Sequence, residues 1–170
     1  MFFATRSGRV KRSALSEYKN INRSGLIALN LNDGDALIGV VRTEADDHVL
    51  LATEGGMAIR FQATDARSMG RSAAGVKGMD LAKDDAIIGL IWVNPEADLL
   101  SVTENGYGKR TPLHEYLVQK EDGSAHPQHR GGKGRRDIVA DQRNGRVVAI
   151  RCIEDGDEVL FSTASGQTVR

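Results

Sequence analysis

The chain repeats itself, and the repeat restricts its fold more than any other feature. The segments ATRSGRVKR (4–12), ATEGGMAIR (52–60), VTENGYGKR (102–110) and STASGQTVR (162–170) share one frame, whose Gly8, Gly56, Gly106 and Gly166 lie 48, 50 and 60 residues apart. A second frame keeps step: NDGDALIGVV from Asn32 answers AKDDAIIGLI from Ala82 and, more faintly, RNGRVVAIRC from Arg143. Self-similarity at a period of this size means that each repeat is one supersecondary unit, able to bury its apolar face only against its neighbours. The ten extra residues of the last interval are VQKEDGSAHP (118–127), which lead into the basic, glycine-rich PQHRGGKGRR (127–136).

Each repeat reads locally as β structure. Ser7-Gly8, Gly55-Gly56, Asn105-Gly106 and Ser165-Gly166 are two-residue turn signals between short strand-favouring runs, which predicts hairpins with type I′ or II′ turns. GLIALNL (25–31), DALIGVV (35–41) and DDAIIGLIWV (84–93) supply further apolar, β-branched runs bounded by Asp and Gly. Only 5% of the residues are aromatic, and the 19 glycines favour many tight turns over a helical bundle. About four short strands per ~50 residues is the pattern of propeller blades. The expected fold is all-β: a partial blade over 1–24, blades over 25–74 and 75–136, and a partial blade over 137–170. These make a single incomplete domain of about three and a half blades, since closed propellers have roughly four to eight.

The 170 residues are 40% hydrophobic, enough for a core of ordinary domain size. A single cysteine, Cys152, excludes a disulfide framework or a cysteine-rich zinc site and reads as a small buried hydrophobe. The chain has no leader-like start and no apolar run near the ~20 residues of a membrane span, so a cytoplasmic location is expected and no membrane partner.

Net charge is zero, with 23 basic and 23 acidic residues, but the charge is segregated. Basic residues outnumber acidic ones by six to one over 1–23, four to one over 60–79 and seven to three over 105–136. The reverse holds by six to one over both 24–59 and 80–104, and by six to four over 137–170. In a blade fold equivalent segments share a side of the disc, so the blocks stack into a basic and an acidic sector, the footprint of a rim that follows a phosphate backbone. Arg12, Arg60, Arg110 and Arg170 occupy one repeat position, with Lys11 and Lys109 beside two of them. They read either as a row of phosphate contacts or as ion-pair partners of the recurring acids Glu17, Asp65 and Glu115. Arg9, Lys19, Arg23, Arg67, Arg71 and Lys77 lie in less regular, solvent-facing segments of the same basic rim.

Catalytic patterns fail on spacing. GRSAAGVKG from Gly70 mimics a phosphate loop, but Val76 separates Gly75 from Lys77 and no Ser or Thr follows the lysine. His126 and His129 have no cysteine or carboxylate cluster to complete a metal site, and no nucleophile-elbow sequence occurs. In 127–136 the small Gly131, Gly132 and Gly134 let backbone N–H groups and Arg130, Lys133 and Arg135 approach one run of phosphates, with Arg136 beside them.

ENGYGKRTPLHEY, RSMGRSAAGVKGM, ATRSGRVKRSALSEY and the run Gln128, His129, Arg130, Gly131, Gly132, Lys133, Gly134 together resemble the C-terminal domain family of DNA gyrase A subunits, over nearly the whole chain. The resemblance implies a β-pinwheel, a propeller-like disc whose blades exchange strands and whose basic rim bends and wraps duplex DNA. It also implies a non-catalytic part of an ATP-dependent type IIA topoisomerase that introduces negative supercoils. The implied partners are double-stranded DNA, the N-terminal part of gyrase A and the gyrase B protein, in an A2B2 complex of the bacterial nucleoid. ATP and Mg2+ would be used elsewhere in that complex, with no cofactor in this chain. The family's gyrase-A box reads Gln-Arg-Arg-Gly-Gly-Lys-Gly, and QHRGGKG matches it at six of seven positions, with His129 where the family has Arg or Lys. The family's principal box belongs to the first blade, whereas NGYGKRTPLHEY upstream is similar to a later one, so this box is either the principal or a second one. The related C-terminal domain of topoisomerase IV, with its degenerate box, and a protein-binding propeller of RCC-like type are the alternatives. The latter calls for exposed aromatic anchors, whereas Tyr18, Tyr116 and Trp92 read as core.

Overall fold

The computed structural model describes residues 1–170 and contains fifteen strands and three 3-10 turns, with no α-helix. The first period gives β1 (Phe2–Thr5), β2 (Arg9–Arg12), a 3-10 turn (Leu15–Tyr18) and, after a long loop, β3 (Leu37–Val41). The second gives β4 (His48–Thr53), β5 (Met57–Gln62), a 3-10 turn (Ala63–Asp65), the two-residue β6 (Val76–Lys77) and β7 (Ile87–Trp92). The third gives β8 (Asp98–Thr103), β9 (Gly108–Pro112), a 3-10 turn (Leu113–Tyr116), β10 (Val118–Gln119), β11 (Ala125–His126), β12 (Arg135–Arg136) and β13 (Val147–Ile153). A last hairpin joins β14 (Phe161–Ser162) to β15 (Thr168–Val169).

All four predicted hairpin turns are present, with a different geometry. Gly8, Gly56 and Gly106 donate their N–H to the carbonyls of Thr5, Thr53 and Thr103 at 3.0 Å, and Gly166 donates to Thr163 at 2.9 Å. Only the glycine is left-handed, at φ 81°, 80°, 82° and 84°, so each loop is a turn followed by a bulged glycine; types I′ and II′ need a positive φ one residue earlier. The threonine belongs to the device. Its Oγ1 accepts the N–H beyond the glycine in three of the four, from Arg9 (3.3 Å), Met57 (3.2 Å) and Gln167 (3.1 Å).

The sheets run β3-β1-β2-β6, β7-β4-β5-β12 and β13-β8-β9, with β14-β15 and the inserted β10-β11 as isolated pairs. β6 and β12 come from later periods than the hairpins they extend: Arg9 faces Lys77 and Val10 faces Val76, while Met57 faces Arg136 and Ala58 faces Arg135. Sheets therefore draw strands from more than one sequence period, and the linear units 1–24, 25–74, 75–136 and 137–170 cut across them.

β3 packs on β7 and β7 on β13, closely enough that Gly39 lies against Leu90 and Gly89 against Ile150. These strands form the hub side, which leaves β6 and β12 on the outer edge. One apolar cluster, including Phe2, Val10, Leu51, Ile59 and Phe61, lies between the first two sheets; a second, including Leu50, Leu99, Leu113 and Tyr116, lies between the second and third. Each fully buried side chain of this size contributes about 1.5–3 kcal/mol, so the energy holding one sheet to the next is mainly hydrophobic. At the hub, Glu54 accepts Arg6 and Arg146 at 2.7 Å each and ties three periods together. Cys152 is half-buried against the second cluster, and Trp92 is exposed where the sequence suggested core.

Candidate nucleic-acid interface on the outer rim

The loop 128–136 lies along the outer edge of the second sheet. Gln128 N donates to Arg60 O (3.0 Å), β12 continues the sheet beside β5, and the N–H groups of Asp137 and Ile138 both donate to Gly56 O, at 2.9 and 3.3 Å. Gly134 makes this path passable: φ is 73°, and a Cβ there would lie 2.4 Å from Ala58 O. The loop also leans on the neighbouring blade, where Gly131 N donates to Gly78 O (2.6 Å) and Gly132 O accepts Asp80 N (2.8 Å).

One blade earlier the same path is built from residues that barely resemble it. Met69 N donates to Arg12 O (2.8 Å), and Gly78 and Met79 donate to Gly8 O at 2.8 and 3.2 Å. A Cβ on Gly75 would lie 2.4 Å from Val10 O, and β6 occupies the place of β12. Met69, Arg71, Gly75, Val76, Lys77 and Gly78 are thus the counterparts of Gln128, Arg130, Gly134, Arg135, Arg136 and Asp137. The segment that mimics a phosphate loop is the first rim loop in chain order, built in the same frame as the box loop, with its arginine and last glycine retained. The sequence signal was present in Arg71 and Gly75, but two matches in seven positions are too few to align without the hydrogen bonds.

The predicted basic residues separate into staples and free cations. Lys11 is 0% exposed and Arg60 is 5% exposed, which removes both from the surface row expected of them. Lys11 Nζ donates to the carbonyls of Ala28 (2.7 Å) and Arg71 beside the Phe3 ring, and burial, followed by the Arg71 charge, pushes its pKa down. Arg60 Nε donates to His48 Nδ1 (3.1 Å) and Nη1 to Leu113 O (2.8 Å) of the next blade. Arg12 reaches the next blade in the same way, with Nε on Ala66 O at 2.9 Å. Neither pairs with Glu17, Asp65 or Glu115. Arg110 instead pairs with Asp98 and Asp155, and Arg170 with Glu158. Arg9 holds the carbonyls of Ala74 (3.1 Å) and Gly75 (2.5 Å), and Lys109 holds that of Asp137 (2.6 Å).

Within the box, Arg130 donates to the carbonyls of Asp65 and Lys77 at 2.9 Å each, and Arg135 to those of Glu115 and Leu117. These two arginines bind the loop to the blades on either side. The buried Asp137 completes the anchorage: its carboxylate accepts the Tyr116 hydroxyl (2.5 Å) and the Ser101 hydroxyl. Burial, reinforced by that carboxylate, drives the Tyr116 pKa well above its ordinary value. Lys133 and Arg136 are exposed and make no side-chain hydrogen bond or ion pair, and the same holds for Lys19, Arg23, Arg67 and the half-buried Arg71. Lys77 is exposed and paired with Asp80 at 2.8 Å, while the exposed His129 lies 3.4 Å from Asp65.

The Arg60 contact makes stability depend on pH. His48 Nδ1 accepts from a guanidinium, which requires a neutral nitrogen, and burial together with the Arg60 charge lowers its pKa from 6.5. The unfolded chain then takes up a proton before the folded one does, so stability is full above about pH 6.5 and is lost as pH falls toward the lower folded value. Thermal melts between pH 7.5 and 5 are expected to show a falling Tm, with a shallower fall in His48→Gln. An equally steep fall in that variant would place the dependence elsewhere.

The profile of the family described as DNA gyrase C-terminal domain, beta-propeller, matches residues 1–44, 47–94, 97–123 and 127–154. The chain is 42% identical over its full length to the DNA gyrase A protein of Salmonella typhimurium, and 40% identical to that of Mycolicibacterium smegmatis. It spans only 18% and 19% of the length of those curated relatives. Among solved structures, a topoisomerase IV C-terminal domain superposes with a TM-score of 0.84 at 25% identity, over 99% of this chain and 50% of that one. A DNA gyrase A C-terminal domain superposes with a TM-score of 0.78 at 27% identity, over 99% and 53%.

Proposed function

The chain belongs to the family of DNA gyrase C-terminal domains, and from that membership we propose that it is a non-catalytic element that binds and bends duplex DNA along its outer rim. Its role is to help wrap DNA for the negative supercoiling carried out by a gyrase holoenzyme. The observation that carries this reading is the pair of rim loops in one backbone frame, which place Arg71 and Lys77 on one blade and Lys133 and Arg136 on the next, on the outer edge. Bending 20–30 bp by 40–90° costs roughly 1–6 kcal/mol, so a wrap needs phosphate contacts distributed along an arc. Rim lysines and arginines on successive blades supply such contacts, while the stapled arginines keep the arc rigid. The partners on this reading are the N-terminal part of gyrase A and the gyrase B protein, in an A2B2 assembly of the bacterial cytoplasm and nucleoid, with ATP and Mg2+ used outside this chain.

A topoisomerase IV role shares the fold, and the superpositions do not separate the two. The QHRGGKG box, matched at six of seven positions, and the 42% identity to a gyrase A protein favour gyrase. The test is a salt titration of binding to a duplex of about 140 bp, with ligation of a relaxed circle in the presence of the chain. Binding should weaken with salt at about 0.9 log units of affinity per log unit of salt for each phosphate neutralised, and the closed circles should carry a shifted linking number. Salt-independent binding, or binding with no linking-number change, would overturn the wrapping role.

A further inference from the structure

The Asp80 carboxylate stands among the rim cations and bonds to no other part of the fold. The backbone N–H of Asp80 donates to Gly132 O (2.8 Å), which holds the residue against the box loop, but its carboxylate makes a single polar contact, to Lys77 Nζ at 2.8 Å. Lys133 lines the same cavity of about 310 Å3 as Asp80. Lys77, and then Lys133, hold the carboxyl below the usual carboxylate range, consistent with a charge seated between two cations. The next blade supplies the control. By the shared frame, the counterpart of Asp80 is Val139, 44% exposed and apolar, and there Arg136, the counterpart of Lys77, is unpaired. The backbone path therefore does not require an acid at this position.

We infer that Asp80 is an internal competitor for DNA phosphate: its carboxylate occupies Lys77 and neutralises part of the field of Lys133, so that duplex must displace it to engage the first rim loop. This rests on the DNA-binding reading above. An exposed carboxylate held by one lysine is a weak competitor, since such pairs are screened by water and salt. It lowers the affinity of one contact without abolishing it, which makes the first rim loop a point from which wrapped DNA is readily released.

The experiment is a salt titration on the same duplex with Asp80→Asn, Lys77→Ala, the combination of both, and Lys133→Ala as reference. Asp80→Asn is nearly isosteric and leaves the backbone donor to Gly132 in place. It should bind about two- to fivefold tighter, with a slope steeper by about one phosphate contact. Lys77→Ala should remove that gain in the Asp80→Asn background and cost less in the wild-type background. Equal or weaker binding by Asp80→Asn, with Lys133→Ala still weakened, would overturn the competitor role alone. Lys133→Ala binding as tightly as wild type would instead strike at the DNA-binding reading. A Tm lowered by Asp80→Asn would mark the carboxylate as structural and also overturn the proposal.

Discussion

Alanine at both Lys133 and Arg136 is expected to cut the salt slope of duplex binding by about two contacts, and affinity by roughly ten- to a hundredfold at physiological salt, while the Tm stays within about 2 °C of wild type. Neither side chain touches the protein through a hydrogen bond or ion pair, and the backbone of Arg136 keeps its ladder position facing Met57 when the side chain is removed. Arg130→Ala with Arg135→Ala should behave differently. Those guanidiniums hold the carbonyls of Asp65, Lys77, Glu115 and Leu117, so their loss frees the loop from both neighbouring blades. Partly exposed contacts to carbonyls are worth about 1–3 kcal/mol in total here, which lowers the Tm by roughly 2–12 °C. Binding then falls because the loop is no longer held, with a smaller change in slope for the affinity lost. The two double variants separate presenting a charge from contacting a phosphate. If both lower the slope equally at unchanged Tm, the division of the box into staples and contacts is wrong.

That division lay beyond the sequence, whereas the architecture did not. The four turn glycines mark the hairpins because a left-handed residue is needed at a constant place in each period, and spacing alone reveals it. The threonine three positions earlier is equally regular, but its Oγ1 contact is a property of the folded turn. Strand exchange is invisible locally: β6 and β12 are two residues long, and each pairs with a hairpin edge over sixty positions earlier, so no periodicity announces them. Charge misleads where tertiary context wins. Lys11 and Ile59 occupy one hairpin position, and only packing shows that the lysine is turned inward to satisfy the carbonyls of Ala28 and Arg71, a place the isoleucine fills with hydrocarbon. Arg12 and Arg60 recur because they bridge blades through a carbonyl, a structural reason that looks like a functional row in the alignment of repeats.

The largest loss is expected from one methyl group. Gly134→Ala places a Cβ 2.4 Å from Ala58 O at a φ of 73°, and Ala58 is a fully buried residue of β5, paired with Ala52 of β4. The left-handed backbone alone costs about 1–2 kcal/mol, and the carbonyl has no room to move without breaking the β4-β5 register. The loop must give way instead, and β12 leaves the edge together with the Arg135 and Asp137 anchors. We expect a destabilisation of about 3–5 kcal/mol and loss of most duplex binding. Gly75→Ala carries the same strain, with its Cβ 2.4 Å from Val10 O, but its loop ends in Gly78 and has no buried carboxylate to forfeit. It should therefore cost less stability and remove only the contacts of Arg71 and Lys77, a drop in slope of about one or two. Thermal melts and salt titrations of the pair decide the matter. Equal losses from both glycines would mean that the two rim loops share the DNA evenly, and wild-type binding by Gly134→Ala would mean that the box strand does not need its place on the edge to hold DNA.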